Sequence, residues 1–496
     1  MPTPLKAPSL KLALLPLALL LLLLAINVAL FGDSAIEGPN QIALILAGVM
    51  AAVIGLKHGA SWTTLQEGML KVVFIALMPI LMLLLIGAMA STWMVSGIVP
   101  TLIVMGLKLA DPTWFYAAAA LVCAIVSTAV GSSWTTAATI GVAMMATGEG
   151  LGMSLPVTAG AVISGAYFGD KLSPLSDTTN LASGVCGVDL FHHVRYLFLT
   201  TVPSFLIALA LFIGLGLTHT ADGRIAQSAE MINAINTSVH TSAWLLLVPL
   251  LVVIAIIRKM PALPLMLFAT LLGSLCSLLF QSELVYQIGG SDDWSGLYRG
   301  LTATIVAETS IVTGNTFSDD LLSTSGMAGM LNTIWLILCA VVFGGLMEAS
   351  GCLSSLLTGL NRLVRGPTSL VATTSGTCGV LNLTASEQYL TLLIAGRMYP
   401  ELYKKYGLTP RNLSRTLEDS GTVTSVLVPW NTCGAYHATV LGVGTLTYLP
   451  FCFFNLISPL MTVLVMRFDW KVEHIARENQ PPHPGPLPVG VGEQAL

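Results

Sequence analysis

Asp170, Lys171 and Asp177 stand in the run Gly165-Ala-Tyr-Phe-Gly-Asp-Lys-Leu-Ser-Pro-Leu-Ser-Asp-Thr-Thr-Asn180, with apolar chain on either side. A charge at membrane depth costs about 2.5 kcal/mol or more on insertion scales, so an ionisable group kept there is a functional candidate. Gly165, Gly169 and Pro174 interrupt the helix at the same place. Broken backbone at that depth survives only where protein or a water-filled cavity covers it. Carboxylates, hydroxyls and freed carbonyls around one break are the oxygen ligands a small hard cation needs. The chemistry this points to is ion binding in a transporter.

Asp170 and Asp177 are seven residues apart, about two helical turns, and the break at Pro174 lets both face one cavity. Ser173, Ser176, Thr178 and Asn180 supply neutral oxygens beside them, so sodium is expected at Asp170 and Asp177. Burial disfavours the charged form of a carboxylate. One such group can therefore take either a proton or a sodium ion, which is antiport by competition. The bland alternative is a structural Asp170–Lys171 pair that caps a half-helix. Lys171 itself reads as a fixed counter-charge, as a titrating amine, or as a side chain snorkelling to the interface.

A second group of candidates lies elsewhere in the chain. Gly131, Ser132, Ser133, Thr135 and Thr136 suit a hairpin tip, as do Asn382, Thr384 and Ser386, although small hydroxylated residues also simply pack membrane helices. Glu387 and Asp419 are candidate proton carriers, whereas Glu418 reads as an interface or cap residue. Asn431 and Thr432 are neutral counterparts of Ser176 and Asp177. Glu348 reads as a solvated helix-end residue, His192 and His193 as a cytoplasmic loop pair, and His437 as nearer the core.

The elements that must hold these residues follow from composition. Of 496 residues 54% are hydrophobic and 9% charged, with a mean hydropathy of +0.82, against about 25% charged in soluble proteins. A polytopic membrane protein follows, and its net charge of −4 says little about partners. The eight cysteines include no C-x-x-C pair, which argues for packing and against a disulfide framework or metal cluster. Leu12 to Leu30 is long for a signal peptide and lacks a clear cleavage site, so it is expected to be a first span. The Pro- and Gly-rich chain from Gln480 is expected to be disordered.

Three weak internal matches occur in a common order: Trp62–Met69 with Trp294–Leu301, Gly131–Thr136 with Gly379–Thr384, and Leu172–Ser176 with Leu427–Asn431. Paired interrupted segments in two halves point to a transporter's binding site. If 114–145 and 369–394 are re-entrant hairpins with tips near Gly131 and Asn382, each half crosses five times and the halves are inverted. Lys and Arg clusters then fall on the cytoplasmic side, and the acidic loop from Gln281 to Asp320 falls outside. The short segments 97–109 and 353–363 fit interfacial helices. The expected fold is an all-α polytopic membrane protein with two inverted repeats, about ten spanning helices and two re-entrant hairpins with discontinuous helices. Its expected divisions are 1–41 (cytoplasmic end and first span), 42–217 (rest of the first repeat), 218–243 (external linker), 244–466 (second repeat) and 467–496 (cytoplasmic tail).

Gly169-Asp-Lys-Leu-Ser-Pro-Leu-Ser-Asp-Thr-Thr-Asn-Leu-Ala182, Leu413-Ser-Arg-Thr-Leu-Glu-Asp-Ser-Gly-Thr-Val-Thr424, Val428-Pro-Trp-Asn-Thr-Cys-Gly-Ala-Tyr436 and Gly396-Arg-Met398 resemble the NhaC family of sodium/proton antiporters. The resemblance covers 42–466. It implies a secondary transporter of the bacterial inner membrane and a homodimer with a moving transport domain. Glu387 departs from the Asp usual in that family. The family also includes malate/lactate exchangers, so the resemblance leaves the substrate open.

The leading function is sodium extrusion against inward protons, with Na+ and H+ as the transported species, membrane lipid as surroundings and no cofactor. The competing function is exchange of a small carboxylate, which half-helix N-termini and hairpin amides can hold without arginine; Arg397 would help, though it sits at a segment end. A passive channel is disfavoured by the repeat. No nucleophile–base set, nucleotide motif or metal signature suggests an enzyme, and nothing suggests nucleic-acid binding.

Overall fold

A computed structural model describes residues 7–109, 111–218, 224–258, 260–313, 319 and 322–475. The tail expected to be disordered from Gln480 lies outside the described residues. The chain folds almost entirely into helices, as a multi-pass membrane protein. Among the described residues six helices are long and apolar enough to cross a membrane: Leu10–Phe31, Pro39–Lys57, Trp62–Val95, Leu190–Thr218, Leu263–Phe280 and Ala328–Ala349. Two further helix pairs qualify if each bent pair is one span, with bends of 86° and 58°.

Interrupted elements hold the candidate residues. Phe115–Val130 ends at Gly131, whose φ of 72° is left-handed, and the chain returns as a helix over 133–150. A Cβ at Gly131 would come within 2.7 Å of Leu175, so glycine serves both the turn and the close approach. Leu155–Leu172 then stops before Pro174, and Asp177–Val185 restarts behind the capping hydroxyl of Ser176, which accepts from the Thr179 N–H. In the second half Pro367–Thr384 turns at Ser386, with a φ of 58°, into Gln388–Met398. A continuous helical stretch over 410–427 breaks before Thr432–Leu441, which Asn431 caps.

These elements recur at a fixed register. Leu155 and Pro410, the first residues of the two segments before the breaks, are 255 positions apart. The same separation joins the capping residues Ser132 and Glu387 at the hairpin turns, and Ser176 and Asn431 at the breaks. The motif alignment of Gly131–Thr136 with Gly379–Thr384 is therefore displaced: the structural partner of Gly131 is Ser386. Asn382 and Thr384 accordingly sit in the last turn of a helix, and the turn itself is formed by Ala385 to Glu387. Sequence similarity misplaced the tip because small and hydroxylated residues fill both the helix end and the turn.

The drift of the register also has a structural cause. Trp62 and Trp294 each begin a helix behind a capping side chain, Ser61 and Asp293. Trp62–Val95 then runs unbroken, whereas the helix from Trp294 stops at Val306 and a two-stranded insertion precedes Leu331–Ala349. After that insertion Ser96-Gly97 and Ser350-Gly351 correspond, and both glycines are left-handed (φ 86° and 77°). The stretch expected to be an acidic loop from Gln281 thus includes two helices, Ser282–Gly289 and Trp294–Val306, and the linker 218–243 includes Arg224–Ser238.

Candidate functional site

The first hairpin and the first break meet at Asp170. The Ser133 backbone N–H and hydroxyl both donate to Asp170 Oδ2, at 3.0 and 2.7 Å. Hydrogen bonds to an ionised acceptor are the strong ones, so the hairpin turn is aimed at this carboxylate. The structural Asp170–Lys171 pair is thereby replaced: Asp170 is held by Ser133, and Lys171 points elsewhere. Ser176 and Thr178 hydroxyls lie 3.0 Å apart at the break, and the Asn180 amide donates to the Ser176 carbonyl at 2.7 Å.

A cavity of about 730 Å³ opens here. Its walls include Ser132, Trp134 and Thr135 of the first hairpin and Asp170, Ser176, Asp177, Thr178 and Asn180 of the break. Gln388 and Tyr389, at the turn of the second hairpin, complete the polar lining, and Met78, Met82, Leu263 and Leu265 are among its apolar walls. None of the described residues lining it is a lysine or arginine. Asp170 is 6% exposed, whereas Asp177 and Asn180 are open.

Several expected residues lie outside this cavity. Glu387 is buried as the cap of Gln388–Met398, accepting from the Leu390 N–H at 3.0 Å. Asn382 ties the second hairpin to the following segment: its amide donates to the Gly421 carbonyl and the Thr424 hydroxyl at 2.8 and 2.9 Å, and it accepts from Thr391. Asn431 donates to the Asn382 carbonyl, and the Thr432 N–H donates to the Ser386 carbonyl. Thr136 and Thr384 donate to carbonyls of their own helices. Asn382, Asn431 and Thr432 hold the second hairpin against the second break, as Ser133 holds the first.

Asp419 also does not line the cavity. It is fully buried and paired with Lys171, and the Thr200 and Ser458 hydroxyls donate to its Oδ1 at 3.0 and 3.1 Å. Lys171 is likewise fully buried and does not snorkel. Three residues depart from the sequence expectation in the same direction. His193 is enclosed, with Nδ1 2.9 Å from the Ser414 hydroxyl, although its neighbour His192 is exposed. Glu418 is enclosed instead of forming an interface or cap, and Arg415, expected among the basic groups of the cytoplasmic side, is enclosed over the Tyr196 ring, 4.8 Å from its centre. The stretch from Asn412 to Thr422 is packed on every side, so its polar residues are enclosed along with Leu413 and Leu417. His437 is buried as expected, against Trp134, Tyr167 and Tyr436. Glu348 is partly exposed and pairs with Lys71 at 2.8 Å.

The profile of the Na+/H+ antiporter family matches residues 165–470, which span both breaks and the buried Lys171–Asp419 pair. The Na(+)/H(+) antiporter NhaC of Alkalihalophilus pseudofirmus is 39% identical over 90% of this chain and 94% of its own. The chain belongs to the NhaC family of Na+/H+ antiporters. Other relatives carry different names. The arginine/ornithine antiporter ArcD of Halobacterium salinarum is 35% identical over 96% of both chains. The malate-2H(+)/Na(+)-lactate antiporter of Bacillus subtilis is 34% identical over 85% of this chain and 87% of its own. A family of antiporters agrees with a transporter rather than an enzyme, and its members differ in cargo.

Proposed function

We propose that this antiporter exchanges sodium for protons, with Asp170 and Asp177 binding cation or proton in competition. The observation that carries this reading is the lining of the cavity: two carboxylates among hydroxyl and amide oxygens, with no described cationic side chain. Two nearby carboxylates repel when both are ionised, and either a sodium ion or a proton relieves that repulsion. Ser133 holds Asp170 in place while Asp177, open to the cavity, meets the incoming ion. Ser132, Ser176, Thr178 and Asn180 offer neutral oxygens as the ion sheds water.

In this reading the two halves are inverted, the chain crosses about ten times with two re-entrant hairpins, and both ends are cytoplasmic in the inner membrane of a bacterium. A homodimer would anchor the scaffold while the hairpins move. The deciding experiment is proton flux in proteoliposomes under an imposed pH gradient, with sodium, lithium, potassium and malate added separately. Sodium alone is expected to dissipate the gradient, and Asp177→Asn is expected to abolish the response; wild-type flux in that variant overturns the site.

A second reading rests on the cavity's size. Its volume falls in the range of about 300–1,000 Å³ found for small-molecule sites, and Trp134 and Tyr389 stand beside the carboxylates. Such a site suits an organic cation such as the cargo named for ArcD. A small carboxylate is the poorer fit, because Asp170 and Asp177 already place two carboxylates on the lining. Adding arginine or ornithine in the same flux assay separates the readings.

A further inference from the structure

Lys171, Arg415, Glu418 and Asp419 are all fully enclosed, apart from the cavity. Lys171 pairs with Asp419 Oδ1, and Asp419 Oδ2 has no hydrogen-bond partner. Arg415 Nε lies 3.9 Å from Asp419 Oδ2, and none of the three guanidinium nitrogens has a hydrogen-bond partner. Neither oxygen of Glu418 has one either; the Thr422 hydroxyl is a neighbour, but the geometry makes no bond. Glu418 and Asp419 begin a wide, π-helical turn, Glu418–Thr422, and such turns within α-helices are frequent at functional sites. An unpartnered buried carboxylate on a widened turn is a costly arrangement for structure alone.

Counting charge shows what the arrangement can do. The charged groups acting on Glu418 are Lys171 and Asp170, from the segment before the first break, and Asp419 beside it. The elements packed on this turn add Cys378 and Glu387 from the second hairpin, Asp177 after the first break, and Arg467 at an exposed helix end. His193 and Tyr196 lie on the neighbouring Leu190–Thr218. With Lys171 and Arg415 positive and Asp419 and Asp170 ionised, the group sums to zero when Glu418 holds a proton. Among these five groups a cation seated at Asp170 leaves one positive charge in excess, which the loss of the Glu418 proton offsets. Uncompensated charge in a low-dielectric interior is strongly unfavourable.

We propose that Glu418 carries one transported proton per cycle, released when a cation binds at Asp170 and regained when the cation leaves. Release to the side from which sodium binds, and uptake on the side where it departs, turns this charge balance into antiport. The inference rests on the reading of Asp170 and Asp177 as the cation site. It adds a proton carrier that never touches the cation.

The test measures protons moved per sodium, from the opposing gradients at which net flux stops in proteoliposomes, together with sodium/sodium exchange. Glu418→Gln is expected to lower the ratio by one proton and to keep sodium/sodium exchange only at a raised sodium half-saturation, and Glu418→Asp to restore both. An unchanged ratio in Glu418→Gln, or loss of sodium/sodium exchange in a folded variant, overturns the proposal. Should Glu418→Gln not fold, the wild-type protein is treated with a hydrophobic carbodiimide, and the modified carboxyl is located by mass spectrometry. Modification of Glu418 that lowers the ratio supports the proposal, and a transporter left unmodified at Glu418 overturns it. Asp177→Asn separates the two readings: if it retains sodium/sodium exchange the cavity assignment fails, whatever Glu418→Gln does.

Discussion

Ser133 and Lys171 show how much one side chain decides. Ser133 gives Asp170 two hydrogen bonds from one residue, and a bond to a charged group contributes about 1.5–3 kcal/mol. Ser133→Ala keeps the backbone bond and loses the hydroxyl. Because the hydroxyl favours the ionised carboxylate that sodium needs, the apparent half-saturation for sodium is expected to rise about tenfold, the equivalent of ~1.4 kcal/mol, with maximal rate little changed. Sodium-dependent flux across a concentration series checks this. Lys171 sits beside Asp170 in sequence yet serves Asp419, 248 positions away. Adjacent helical residues point about 100° apart, so one chain segment presents an anion to the cavity and a cation to the interior on another face.

At the scale of elements, the first hairpin and the first broken segment are joined by glycine. A Cβ at Gly165 would meet the Ala120 carbonyl, and one at Gly169 the Ala124 carbonyl. Small residues allow this backbone approach between membrane helices, and the approach brings Ser133 to Asp170. Gly165→Ala must push the hairpin arm away, and overpacking of this kind costs about 1–3 kcal/mol. The expected result is a lower thermal unfolding midpoint in detergent and reduced sodium-driven flux. Gly184→Ala, at a position with open space around it, is the control and should match wild type in both measurements. In the second half, bonds through Asn382, Asn431 and Thr432 do the corresponding job, with Ser386 taking the turn without glycine.

At the scale of the whole molecule, contacts between the halves help to assemble the interior. Tyr436 donates to the Trp134 carbonyl at 2.8 Å, Lys171 pairs with Asp419, and Gln388 and Tyr389 close a cavity built mainly by the first half. Lys71–Glu348 also joins the halves, but its side chains are 60% and 35% exposed, and such pairs contribute about 0–1 kcal/mol. Glu348→Gln is accordingly expected to leave the sodium half-saturation and the thermal midpoint near wild type, measured by the same flux and unfolding assays. A large loss of transport would instead give Glu348 a role in the cycle.

The sequence by itself determined the membrane class and the interruption of the segments that carry the candidate residues, and it nominated Asp170 and Asp177. These depend on local signals: apolar length, Gly and Pro punctuation, and carboxylates set in apolar chain. Tertiary structure alone decided which carboxylate faces what. Asp419 is neutralised by Lys171, Glu387 is a helix cap, Asn382 is a tie, and Arg415, Glu418 and His193 are enclosed. The reason is geometric. Burial of a polar residue depends on which segments, hundreds of residues distant, pack over it, and neither composition nor spacing along one segment records that partner.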